Sequence, residues 1–563
     1  MGRLEYIISA FLQWSTEQQD GQRNSIEARE EMSPMVAAFA VWLALATAVT
    51  TAQQLRIQPP LLQQNPQNDT TTNWPALRLQ FSLKRRSINI YGFTEFIMLA
   101  KPVVSEDGAT VLYDAFATFS QGTSVYNYTL IDGAAYSSSS SDTTALLARC
   151  LDSESDSLPP INRIAAALNE ATVVSSDSGV GNGVPCASDQ KYEASVEDID
   201  FVVCPTGSSG FTMRSSAMDV KVDYQDTQEF GFHATRECPK VVQPTLVTSV
   251  GQALLTGKHD VVGDSRMLKS AFGFSWGDSA CSCKSTPRPC VFIHGLGIKQ
   301  EFSRNQNSFD DYWGDKLPEH APCCSSMKFA ILDTENYAWT DDDLQRKVCN
   351  RALAVSNSST KVSIADTIVI THSMGNLILA GAIATKKCSF AASSSWVGLA
   401  GPMRGSMASD FFQASCSDNT NAIIELYAKV VGMCPIRAAI KSMSNENGNH
   451  SSVKLNAAYK AAQKVYQKNV DALMCSESDT GLVSLYQPKF WAMHYLIPYK
   501  SKENDGMVEF QSCAAGFPSS KFGTTWQNRF YRTRLNHYDM TFREGDAPFD
   551  KAKMPLKWFE CLF

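Results

Sequence analysis

The sequence predicts an α/β fold: a doubly wound, mostly parallel sheet with a helical lid insertion, preceded by a mostly antiparallel β domain with one helix. Three observations carry this expectation. Ile364 to Ala384 reads as strand, tight turn and helix in immediate succession. From Pro289 onward, short apolar runs alternate with helical patterns, as a parallel sheet requires. Between Leu77 and Tyr224, by contrast, apolar and polar residues alternate with the period of two that marks half-buried strands.

At 563 residues the chain exceeds one ordinary domain. Its net charge of −7, with no basic stripe, argues against a nucleic-acid partner. Residues 1–34 are polar and read as a gene-model extension ahead of the natural start. Met35 to Ala48 is apolar, and Ala46-Thr-Ala48 at its end and Thr50-Thr-Ala52 just after it are small-residue cleavage sites, so residues 35–52 read as a signal peptide. The run is about 14 residues, shorter than the roughly 20 of a membrane helix. A type II membrane anchor is the alternative to secretion. Sixteen cysteines suit an oxidised, exported protein, and sequons at Asn68, Asn127, Asn357 and Asn449 agree. Cys281-Ser-Cys283 and Cys323-Cys324 lack a histidine at zinc-like spacing and read as disulfide partners.

In chain order, residues 53–76 are rich in Gln, Pro, Asn and Thr and read as a flexible leader. The antiparallel domain is expected over 77–245. Leu77, Leu79, Phe81 and Leu83 alternate with polar residues. Val111–Ser120, Val125–Ile131 and Met218–Tyr224 also read as strands. Ser137–Ser141 reads as a loop. Leu158–Leu168 reads as a helix with Pro159 and Pro160 at its start. Cys150, Cys186, Cys204 and Cys238 are the expected staples of this part, which contains no cluster of catalytic residue types. Residues 246–285 form a connector, and 286–563 the α/β domain. There, Pro289–His294 and Phe329–Leu332 are strands. Thr340 caps a helix opening on Asp341, Asp342 and Asp343, acids that suit its positive end. Ser395–Leu399 is a further strand. Residues 410–482 are helical in pattern, around Ala422–Val431 and Val453–Met474, and by length and position are expected to form the lid. Phe490–Tyr499 returns to strand.

The turn at Thr371-His-Ser-Met-Gly375 holds the candidate nucleophile. Ser373 sits at its sharp point, with small residues about it because strand and helix must approach closely. The pattern is G-x-S-x-G with Thr371 in place of the first glycine. Cys290-Val-Phe-Ile-His-Gly-Leu-Gly297 is a strand ending in His294-Gly295. The backbone N–H groups of Leu296 and Met374 are the expected oxyanion donors. A serine needs a base. Three histidines follow Ser373 in sequence: His450 in a polar loop, His494 in an expected strand, and His537 in the polar segment Leu535–Met540. His537 fits best. For the acid, Asn504-Asp-Gly-Met-Val508 directly follows the expected strand and Gly506 allows a tight turn, so Asp505 is the choice, with Glu503 as the rival. The acid must hold the imidazole tautomer and stabilise its charged form.

Together, Thr371-His-Ser-Met-Gly375, Asp505-Gly-Met-Val508 and Asn536-His-Tyr-Asp539 resemble the lipase and lipase-like esterase branch of the α/β-hydrolase superfamily, over roughly residues 285 to 563. The antiparallel part resembles modules paired with lipase-like domains in secreted oomycete-type proteins. The resemblance implies a secreted serine esterase acting on lipid or other ester substrates, with transient contact to a lipid surface and no cofactor. It also implies calcium as a candidate ligand of Asp539, two residues after the base. Two alternatives accompany it: an inositol deacylase of glycosylphosphatidylinositol anchors or an acyltransferase with the same triad, and a catalytically silent cell-surface binding protein.

Overall fold

The structure is a computed structural model. It describes residues 74–563 except 86, 123, 142–143, 157, 175–185, 187–189, 198, 227–236, 259–279 and 417–433. The expected signal peptide, nearly all of the expected leader, and the helical pattern at Ala422–Val431 lie outside the described residues.

The expected fold class is overturned by the larger of the sheets. It is antiparallel and has twelve strands. They are β1 Ala76–Leu83, β2 Glu95–Val104, β3 Thr110–Gln121, β4 Ser124–Ile131, β5 Ala134–Ser141, β6 Thr144–Cys150, β7 Thr172–Val173, β8 Tyr192–Val196, β9 Ile199–Pro205, β10 Gly210–Arg214, β11 Met218–Gln225 and β12 Thr245–Leu246. Their order is β6-β5-β4-β3-β2-β1-β11-β10-β9-β8-β7, with β12 beside β3. The chain is therefore not an α/β fold with a β preface. A large antiparallel sheet stands beside a smaller, separate parallel one.

Period two explains the first strands. Leu77, Leu79, Phe81 and Leu83 are buried, and the residues between them are partly exposed. The serine run was expected to be a loop, but it forms β5, hydrogen-bonded to β4 on one side and β6 on the other. Two flanking partners satisfy its backbone, which outweighs the weak strand preference of serine. Two helices, not one, cover the apolar face: Ile161–Asn169 and Ser249–Thr256. The second lies in the stretch expected to be a connector.

The smaller sheet has six parallel strands: β13 Arg288–Ile293, β14 Cys324–Ala330, β16 Ile368–His372, β18 Ser395–Leu399, β19 Val470–Ser476 and β20 Phe530–Thr533. The order is β14-β13-β16-β18-β19-β20. A separate short ladder joins β15 Ser363–Ile364 to β17 Ser389–Phe390. Successive residues of β13 enter opposite cores. Val291 and Ile293 face one side, Cys290 and Phe292 the other, as expected of a sheet buried on both faces.

The long helices Asp342–Leu353, Met374–Ala384 and Val453–Asn469 pack on the first face. The second is covered by the short helices Asp310–Trp313 and Pro555–Glu560 and the loops around them. Among the described residues, the sheet is thus not wound by long helices on both sides.

The C-terminal part of the expected lid is corrected too, while residues 417–433 lie outside the described residues. Val453–Asn469 buries Tyr459, Ala462 and Tyr466 against the core, and the residues that follow are β19 in the middle of the sheet. Phe490–Tyr499, expected as strand, is mostly helix, Gln487–Leu496. The cap of the helix at 342 is Asp341 rather than Thr340. Its carboxylate accepts from the N–H groups of Asp343 and Leu344.

All sixteen cysteines are paired. Cys150–Cys238 and Cys186–Cys204 staple the antiparallel part. Cys281–Cys561, Cys283–Cys323, Cys290–Cys324, Cys349–Cys388, Cys416–Cys434 and Cys475–Cys513 hold the parallel part. Among the described residues, no helix is long and apolar enough to cross a membrane.

Candidate active site

The order of the parallel sheet sets where a site can form. β13 continues to β14 on one side, and the chain then returns to lay β16 on its other side. The crossovers diverge there and leave a crevice at the carboxyl ends of β13 and β16. His294-Gly295-Leu296 leaves β13 at that point, and Ser373 leaves β16.

Ser373 has φ 52° and ψ −128°, a conformation that non-glycine residues rarely adopt. Its N–H donates to the Leu399 carbonyl at 2.9 Å. The helix Met374–Ala384 starts at once, so strand and helix nearly touch. A methyl group at Gly375 would lie 2.6 Å from the His294 carbonyl oxygen and 2.9 Å from that of Ile293. Only glycine fits.

Thr371 is fully buried with its hydroxyl in use. It donates to Asn376 Oδ1 at 2.6 Å and accepts from the Trp396 indole at 2.8 Å. Asn376 Nδ2 in turn donates to the carbonyls of Thr371, Ser373 and Leu399. One buried amide therefore braces the turn from beneath.

The structure brings Ser373, His537 and Asp505 together from distant parts of the chain. His537 Nε2 lies 2.9 Å from Ser373 Oγ, and His537 Nδ1 lies 2.8 Å from Asp505 Oδ2. Asp505 is acceptor-only when ionised, so Nδ1 carries the proton and Nε2 faces the hydroxyl with a lone pair. The other carboxylate oxygen of Asp505 accepts from the N–H groups of Met507 and Val508 at 2.8 and 2.6 Å. The His537 N–H donates to the Asp505 carbonyl at 3.0 Å. All three side chains are at most 7 % exposed.

Asp505 does not follow a strand. It lies in the turn after the helix Gln487–Leu496, in the long connection between β19 and β20. His537 lies just past β20, where Asn536 Oδ1 accepts from the N–H groups of Tyr538 and Asp539.

The rivals lie elsewhere. Glu503 pairs with Arg532 at 2.9 Å and with Gln511. His494 is on a helix, 3.3 Å from Asn504 Oδ1. His450 is exposed.

Gly295 passes directly over the serine. A methyl group there would sit 2.6 Å from Ser373 Cβ and 3.1 Å from its Oγ. The Gly295–Leu296 peptide is pinned through its carbonyl, which accepts from His294 Nδ1 at 2.9 Å and from Thr334 Oγ1 at 2.6 Å. Leu332 N–H donates to His294 Nε2 at 3.1 Å, which fixes the tautomer. Burial pushes His294 down to about 4, so it stays neutral. In a trans peptide the N–H points opposite to the carbonyl, so the Leu296 N–H is directed away from His294 and Thr334. The Met374 N–H opens its helix and has no acceptor within it.

Sequence reasoning missed three side chains around this group, Asn376 beneath the turn and Tyr312 and His372 beside it. Tyr312 OH lies 2.6 Å from His372 Nδ1 and 2.7 Å from the Gly295 N–H, and His372 Nε2 lies 3.0 Å from the His537 carbonyl oxygen. Burial first, then the His537 charge, holds His372 well below the ordinary histidine range. Asn376 carried a signal that could have been read: an amide in the first turn of an otherwise apolar helix must find partners. Tyr312 carried none.

Asp539, the expected calcium ligand, is fully buried: its Oδ2 accepts from the N–H groups of Leu482 and Asn536 at 2.6 and 3.4 Å, and burial pushes its carboxyl up to about 8. Among the described residues, no group of three or more His, Cys, Asp or Glu side chains is placed to hold a metal ion.

No protein-family model and no curated protein matches the chain. Among solved structures it is similar to a mature Bacillus licheniformis lipase, BlEst2, at 14 % identity and a TM-score of 0.29, over 47 % of this chain and 91 % of that one. It is also similar to a Staphylococcus hyicus lipase at 14 % identity and a TM-score of 0.25, over 50 % of this chain and 95 % of that one.

Proposed function

We propose that this protein is a secreted serine hydrolase that cleaves carboxylic esters, lipid esters foremost, through Ser373, His537 and Asp505. The observation that carries the reading is the hydrogen-bonded line from Asp505 through His537 to Ser373, ending on a strained serine at the crevice of a parallel sheet.

In this mechanism Ser373 Oγ attacks the acyl carbonyl while His537 Nε2 takes its proton. Asp505 holds Nδ1–H and stabilises the imidazolium. The carbonyl oxygen becomes an oxyanion and takes hydrogen bonds from the N–H groups of Leu296 and Met374. His537 then protonates the departing alcohol and leaves an acyl-serine. Water, deprotonated by the same imidazole, attacks the acyl-serine, and the imidazolium returns that proton to Ser373 Oγ as the acid is released. The three resembling motifs favour esters of lipids, and eight disulfides suit an oxidising compartment outside the cytosol.

The test is turnover of a panel of lipid and p-nitrophenyl esters by purified protein, together with labelling by a fluorophosphonate. Ser373→Ala should lose both while keeping its melting temperature, with turnover down on the order of 10⁴- to 10⁶-fold. Near-parental turnover by this variant would sink the proposal. An intact parent that neither turns over esters nor takes up the label would favour a silent binding protein.

A further inference from the structure

We propose that Tyr312 and His372 are positioning residues that tie the Gly295–Leu296 backbone to the segment carrying His537, and that this tie sets kcat. The inference rests on the ester-hydrolase reading above.

The direction of every bond in the tie follows from one group. The His537 carbonyl oxygen can only accept, so His372 Nε2 must carry the proton that reaches it across 3.0 Å. His372 Nδ1 then has a lone pair and accepts the Tyr312 hydroxyl proton at 2.6 Å. That leaves the Tyr312 oxygen to accept the Gly295 N–H at 2.7 Å. The line runs in one sense, from Gly295 through Tyr312 and His372 to the backbone of the base, with no donor facing a donor. Bonds aligned in this way polarise one another.

The line also spans the parts that must hold register during acyl transfer. Gly295 lies after β13, Tyr312 is in the short helix Asp310–Trp313, His372 ends β16, and His537 follows β20. The Gly295–Leu296 peptide is pinned at its carbonyl by His294 and Thr334. Tyr312 pins the preceding N–H. The two anchors leave the Leu296 N–H one direction in which to point.

The rings are held as well. Tyr312 stacks on Phe309 and meets His372 edge-on, and the His372 and His537 ring centres are 4.8 Å apart. Burial and the nearby His537 charge keep His372 neutral, so the proton pattern survives when His537 becomes imidazolium.

Tyr312→Phe and His372→Leu should lower kcat on the order of 10- to 100-fold with KM within about threefold, since misplacement around the reacting atoms acts on the transition state. His372→Gln reaches the same depth as Nε2 and can restore the donor to the His537 carbonyl. It should recover at least about tenfold over His372→Leu. Tyr459→Phe removes a buried hydroxyl that donates to the Ser442 and Ser444 carbonyls. It should lower the melting temperature comparably while leaving kcat alone.

Parental kcat in Tyr312→Phe and His372→Leu, with the parent active, overturns this proposal by itself. So does a glutamine variant no better than leucine, or a kcat loss equal to that of Tyr459→Phe. A parent that neither hydrolyses esters nor takes up a fluorophosphonate overturns the ester-hydrolase reading, and this proposal with it.

Discussion

Lys553 Nζ lies 3.2 Å from Asp156 Oδ1, with the two side chains only 1 % and 0 % exposed. Asp156 belongs to the antiparallel part, just after β6, and Lys553 to the C-terminal segment of the parallel part. Arg534, three residues before His537, also pairs with Asp156 and reaches Asp550 at 2.9 Å. Nearby, the Asp546 N–H donates to the Ser87 carbonyl at 2.7 Å and Arg149 pairs with Asp479 at 3.2 Å. The antiparallel sheet is thus fastened to the segments on either side of the proposed base.

Asp156→Ala should therefore be strongly destabilising. It leaves a buried ammonium without a carboxylate, which costs about 3–5 kcal/mol. Burial pushes the Asp156 carboxyl up, but Lys553 and Arg534 outweigh it and hold it below the ordinary aspartate range. A depressed folded-state value means this stabilisation is present above the unfolded value, about 4, and is lost as pH falls through the folded one. Urea unfolding at several pH values checks it. The parent should weaken in acid by more than the variant does.

The opposite sign applies to Asp539, whose carboxyl burial pushes up to about 8. A raised folded-state value gives stability that is full below the unfolded value, about 4, and is lost as pH rises toward the folded one. Asp539→Asn, which stays neutral at every pH, should make the decline between pH 5 and pH 9 shallower, and Asp546 and Glu154, which burial pushes up to about 7, should carry the part that remains. Identical alkaline slopes for parent and variant would remove Asp539 from the account.

The acid assignment is tested by a pair of isosteric changes. Asp505→Asn reverses one hydrogen bond to His537 Nδ1 and favours the wrong tautomer, so kcat should fall by about 10⁴-fold. Glu503→Gln touches the Arg532 pair and the Gln511 contact on a partly exposed surface, and loss of the ion pair is worth roughly 0–1 kcal/mol of stability. His537→Ala should be as damaging as loss of Ser373. A well-folded Glu503→Gln that is dead, beside an active Asp505→Asn, reverses the assignment.

Local pattern made some of this visible and hid the rest for physical reasons. The strand, turn and helix about Ser373 were legible because a strained turn demands small residues on a fixed spacing. β1, β3, β4 and β11 were legible because one face of each is buried. The serine run was not, because what makes it β5 is a neighbour on each side. The lid expectation failed at Asn469–Val470, where helix passes into β19 with no glycine or proline between them. Phe490–Tyr499 is short, aromatic and apolar, a composition that suits strand and helix alike; packing decided it. Tyr312 and His372 meet across 60 residues of sequence, and no periodicity reports such a pair.

Thr371 is the position where the elbow pattern is broken, and restoring glycine there is a revealing change. If threonine were a tolerated defect, Thr371→Gly would be neutral or stabilising. In the structure its hydroxyl satisfies the Trp396 indole N–H and Asn376 Oδ1, both fully buried. Removing it strands the indole donor, weakens the amide that braces the turn, and adds the backbone entropy of glycine within a strand. The expected loss is about 2–4 kcal/mol. Gly375→Ala should be worse, because its methyl group meets two backbone oxygens that cannot move without shifting β13. Urea midpoints for both variants decide the matter. A higher midpoint for Thr371→Gly would mean that the buried network beneath Ser373 does not hold the turn.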